Sequence, residues 1–111
     1  MGKLTYENAV KVDFEDRTLA HLQIVITSKL RHGEPFHFTW KDDSSISNGR
    51  TSVWVHPQSN LVFRFYGSRH PRINPAWVNA LAMAANSQGG LYLVPEPQLP
   101  PAHEPAAAAT A

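Results

Sequence analysis

Apolar and polar positions alternate with period two in three successive stretches, 36–40, 51–56 and 61–66. Each stretch is bounded by turn-forming residues, which predicts three β-strands. In the first, Phe36, Phe38 and Trp40 share one face, with His37, Thr39 and Lys41 opposite. In the second, Val53 and Val55 form the core pair, opposite Ser52, Trp54 and His56. In the third, Leu61, Phe63 and Phe65 oppose Val62, Arg64 and Tyr66. Read as one sheet, the three strands give an apolar face that must be covered and a mixed polar and aromatic face.

The flanking segments supply the cover. Leu4 and Tyr6, then Val10, Val12 and Phe14, alternate with polar neighbours and predict an N-terminal hairpin. Over 17–31, Leu19, Leu22, Ile26 and Leu30 recur at helical spacing, with Val25 beside them. Asp16 is placed to cap this helix, and Gly33 to end it after Lys29, Arg31 and His32. Its apolar stripe is expected to lie on the sheet, and His21 is expected on the solvent side. Asn74 followed by Pro75 starts a second helix to about 86, with Trp77, Val78, Leu81 and Ala85 inward. Residues 91–94 read as a last strand. The order β-β-α-β-β-β-α-β describes a single small α+β domain over 1–95, with a mainly antiparallel sheet and two helices. From residue 96 prolines and alanines dominate, so 96–111 is expected to be a disordered tail.

Composition narrows the chemistry. The chain has no cysteine, which removes disulfides and thiolate metal sites. No apolar run reaches membrane-spanning length and none opens the chain as a signal peptide, so a cytoplasmic protein without membrane contact is expected. A formal charge of +1 does not by itself imply a nucleic-acid partner.

The mixed face carries Lys41, Arg64, Trp54 and Tyr66, beside His37 and His56. It reads either as a solvated face or as a platform on which bases stack and phosphates pair. Arg69, His70 and Arg72 precede the Asn74–Pro75 helix start, where free N–H groups favour an anion. The expected partner is therefore DNA or another phosphate-bearing ligand. Another protein docking on the sheet edge or the Trp54 face is the alternative. Asp42 and Asp43 lack the spacing of a calcium loop, and His37 with His56 lacks a third ligand, so no metal is expected. No nucleophile elbow and no lysine-bearing phosphate loop occurs.

The segments Gly2-Lys3-Leu4-Thr5-Tyr6, Leu19-Ala20-His21-Leu22-Gln23, Trp40-Lys41-Asp42-Asp43-Ser44-Ser45, Phe65-Tyr66-Gly67-Ser68-Arg69 and Ile73-Asn74-Pro75-Ala76-Trp77 carry a resemblance. They resemble a family of small uncharacterised actinobacterial proteins, a domain of unknown function, over about residues 1–97. Its members often bear the label ATP-dependent DNA ligase. That label implies ATP and magnesium as cofactors and a nucleophilic lysine in a Lys-x-Asp-Gly motif. Lys11-Val12-Asp13 and Lys41-Asp42-Asp43 match three of its positions, but Phe14 and Ser44 replace the glycine. The expectation is a non-catalytic binding domain without cofactor, associated with DNA ligation; a ligase-type nucleotidyltransferase using Lys11 or Lys41, or a protein-interaction module, are the alternatives.

Overall fold

A computed structural model describes residues 1–41 and 49–98. Its elements follow the expected order: β1 (Gly2–Tyr6), β2 (Val10–Phe14), α1 (Asp16–Arg31), β3 (Phe36–Lys41), β4 (Arg50–Val55), β5 (Leu61–Phe65), α2 (Pro75–Ala85) and β6 (Leu91–Tyr92). The acidic pair Asp42–Asp43 and residues 99–111 lie outside the described residues.

The strands divide into two sheets. β1 lies between β2 and β5, antiparallel to both, with Leu4 opposite Val12 and Phe63. β3 lies between β4, antiparallel, and the two-residue β6, parallel, with Phe38 opposite Val53 and Leu91. The three central strands therefore do not share one sheet. After β4 the chain turns through His56–Asn60, where Ser59 N–H donates to the His56 carbonyl, and crosses to β1. Alternation fixes which side chains share a face, but not which strand is the neighbour. The β1–β2 turn helps to anchor this crossing. Glu7 and Asn8 both have positive φ, 55° and 60°, as a tight hairpin turn requires. Glu7 is held there by its N–H on the Asn60 carbonyl at 2.8 Å and by its carboxylate on the Asn60 N–H at 2.9 Å.

The inner faces of the two sheets meet. Leu4, Tyr6, Val10, Val12 and Leu61 of the first line a common apolar interior with Phe38, Trp40, Val53 and Val55 of the second. Helix α1 closes it with Leu19, Leu22, Val25 and Ile26, and α2 adds Trp77, Leu81, Ala84 and Ala85. Phe36 and Phe38 are buried as their alternation predicts, and Phe38 packs between the rings of Phe14 and Trp40. Phe63 and Phe65 point inward too, yet are only half-buried, because β5 is an edge strand.

His21 corrects the expected solvent side of α1: it is fully buried. Its Nδ1–H donates to the Arg17 carbonyl at 2.7 Å, and its Nε2 accepts the Asn74 N–H at 2.8 Å. The ring packs on Trp77 with centroids 4.5 Å apart. Helix α1 is covered on two sides, by the sheets and by the start of α2, so a single apolar stripe understates what it buries. The segment after β6 is tied to the same place. Trp77 Nε1–H donates to the Val94 carbonyl at 2.9 Å, and Asn74 Nδ2 donates to Glu96 and to the Pro97 carbonyl, both at 3.0 Å. No helix is long and apolar enough to cross a membrane among the described residues.

Candidate nucleic-acid interface

The outer face of the second sheet is built in rows by strand register. Trp54 stands opposite His37, and the two rings meet edge to face at 4.8 Å. In the next row Tyr92, Thr39 and Ser52 lie side by side, with the Thr39 hydroxyl donating to Ser52 Oγ at 2.9 Å. Lys41 opposes Arg50 in the last. Trp54 is 47% exposed and Tyr92 52%. Gly90 admits β6 to this arrangement. It has φ 85°, and a Cβ there would meet the His37 carbonyl oxygen at 2.5 Å.

Two features of this face are unusual for a merely solvated surface. Like charges directly opposite on an antiparallel pair are destabilising, yet Lys41 and Arg50 are so placed. Neither forms an ion pair with a described residue, and no carboxylate belongs to this face among the described residues. The face thus combines flat aromatic surface with two exposed cations at one end.

The structure separates the residues that alternation placed together. Lys41 and Trp54 belong to the second sheet; Arg64 and Tyr66 belong to the outer face of the first, or directly follow it. There the Arg64 guanidinium lies 5.4 Å from the Tyr66 ring centroid. His56 does not face His37. Its Nδ1 accepts the Gln58 N–H at 3.2 Å within the turn after β4. No set of three metal-binding side chains gathers among the described residues. Lys11 is exposed on the outer face of the first sheet, opposite Thr5, and Lys41 is exposed at the end of β3.

At the start of α2 the geometry differs from a vacant anion site. Asn74 Oδ1 caps the helix by accepting the Ala76 N–H at 3.0 Å. The carboxylate beside it is the chain's own: Glu96 accepts from Asn74 and, through both oxygens, from Arg17. The hydrogen bonds from Arg17, then from Asn74, lower the Glu96 carboxyl from its ordinary 4.5 to about 2. The same contact raises the Arg17 guanidinium. Arg69, His70 and Arg72 are exposed on the segment leading to this cap.

Sequence reasoning left out Arg50, Tyr92 and the Arg17–Glu96 pair. Arg50 was legible as the antiparallel partner of Lys41 once the loop between them is treated as a hairpin connection. Tyr92 was not, because β6 joins β3 in parallel across more than fifty residues.

The chain is thus a small two-sheet α+β domain with an open aromatic and basic sheet face. It belongs to the family described as Domain of unknown function (DUF7882), whose model matches residues 1–96. No curated protein and no solved structure matches it.

Proposed function

We propose that this domain is a non-catalytic binding module for single-stranded nucleic acid, engaged on the outer face of the second sheet. The observation that carries the reading is the row structure of that face: Trp54 with His37, then Tyr92, beside the exposed cations Lys41 and Arg50. Bases stack on exposed aromatic rings irrespective of sequence, while cations follow the backbone. Trp54 and Tyr92 lie two strands and two residues apart, roughly 12 Å by strand geometry, so two unstacked bases have separate seats.

The near-zero formal charge does not oppose this. Asp13 pairs with Lys3, Glu34 with Lys29 and Glu96 with Arg17, while Asp16 accepts backbone N–H groups. The cations outside those pairs, Lys11, Arg31, Lys41, Arg50, Arg64, Arg69 and Arg72, are all exposed. Net charge over the whole chain therefore says little about the local field at any one face.

Titration of a labelled oligothymidylate at low salt tests the reading. Trp54→Ala should weaken binding by about 1–3 kcal/mol, the usual worth of one stacked base, with the salt slope intact. No binding at high micromolar protein would end the proposal. Ligase chemistry draws no support from Lys11 or Lys41, each exposed on an open sheet face where water is not excluded from a reacting phosphate. Incubation with ATP and magnesium should give no AMP adduct by mass spectrometry. An adduct lost in Lys11→Ala or Lys41→Ala would restore that activity.

A further inference from the structure

We infer that the molecule carries a second nucleic-acid surface, on the first sheet, and so joins two single-stranded segments. The inference rests on the reading above for its ligand class, but on different residues. Arg64 and Tyr66 stand on the outer side of β5 and its continuation, with Tyr66 53% exposed. Arginine stacked on a tyrosine ring keeps its N–H donors free for a phosphate while the ring offers a face to a base.

The segment 67–72 extends this strip, and both its ends are fixed. Asp16 accepts the Tyr66 and Gly67 N–H groups at 3.4 and 2.7 Å, and the Arg72 carbonyl accepts from Arg17. Arg69, His70 and Arg72 are thereby displayed along the start of α1, exposed and without a hydrogen-bond or ion-pair partner for their side chains among the described residues. Asp16 holds backbone amides, Glu96 holds Arg17, and Asp13 on the outer face of the sheet pairs with Lys3. Lys11 adds a further cation on the same sheet face.

These cations come from three separate parts of the chain, β2, β5 and the 67–72 segment, which fits a phosphodiester chain better than a single small anion. The exposed large apolar side chains on or beside the strip are Val62, Tyr66 and Ile73, so a lipid surface is the competing occupant that the experiment separates. Because the inner faces of the two sheets meet across the core, their outer faces turn away from each other. A short oligonucleotide cannot occupy both, so each takes its own.

Native mass spectrometry with hexathymidylate at low salt tests this. The wild-type chain should bind two hexamers. Arg69→Ala combined with Arg72→Ala should leave one, seated on the second sheet, and Trp54→Ala should leave the first-sheet hexamer intact while weakening the other. The substituted side chains are exposed, so both variants keep the fold, checked by circular dichroism. A single hexamer on the wild type that survives the double arginine substitution overturns this inference and leaves the second-sheet site standing. Two hexamers retained by that variant overturn it as well. A single hexamer lost with the arginines but indifferent to Trp54→Ala overturns both readings. If the double substitution instead abolishes only binding to phosphatidylglycerol vesicles, the strip serves a membrane surface and the inference fails.

Discussion

Among single residues, His21 and Asn74 show how much a buried polar pair can fix. Both are fully buried and every ring or amide group is used. His21→Phe keeps the volume but leaves the Asn74 N–H without an acceptor. It should destabilise by about 1–3 kcal/mol, the cost of a buried unsatisfied polar group, measured by urea unfolding. Asn74→Ala should cost about 1 kcal/mol for the lost cap alone, and more through the Glu96 and Pro97 contacts. Phe38→Ala should cost about 3–5 kcal/mol; an unchanged melting midpoint would refute its central place in the core. Phe38 was legible because strand alternation alone decides its face. His21 was not, because its partner is a backbone N–H fifty-three positions away, and no local pattern announces that.

At the scale of elements, every helix and strand was legible, and so was the β1–β2 hairpin, but the neighbours of β5 and β6 were not. The alternation in β5 is as clean as in β4, but the turn at 56–60 sends it to β1, and nothing in the Leu61–Phe65 pattern distinguishes the two neighbours. The candidate site suffered the same fault: Trp54 and Arg64 alternate alike and end on different sheets. Strand β6 depends on Gly90. Gly90→Ala should destabilise by about 1–3 kcal/mol through left-handed backbone strain, and should also weaken oligothymidylate binding by displacing Tyr92. The segment after β6 makes stability sensitive to acid. The Glu96 carboxyl is lowered in the folded state, so its stabilising contribution is complete above the ordinary value of 4.5 and is lost as pH falls towards about 2. Melting curves across that window should show a loss in the wild type that Glu96→Gln lacks. Equal slopes for the two proteins would show that the Arg17 contact contributes nothing.

For the whole molecule, the number of exposed cations that meet phosphates predicts the ionic behaviour of binding. Each phosphate neutralised on a single strand contributes about 0.7 to the slope of log affinity against log salt. Removing Arg69 and Arg72 should flatten that slope by about 1.4 if both contact phosphates, while Trp54→Ala leaves it unchanged. The weaving of the two sheets has a consequence for how the chain comes to be folded. Strand β1 at the start waits for β5, and β3 in the middle waits for β6 near residue 92. A nascent chain that has emerged only as far as Val55 holds a hairpin, a helix and two more strands, yet neither sheet is complete. Such distant pairings place refolding towards the slow, millisecond-to-second end of the range for small domains. A chain divided within the 56–60 turn should give two halves, neither of which folds stably alone, that assemble on mixing, which makes this turn the natural place to split the protein into a reconstituting reporter.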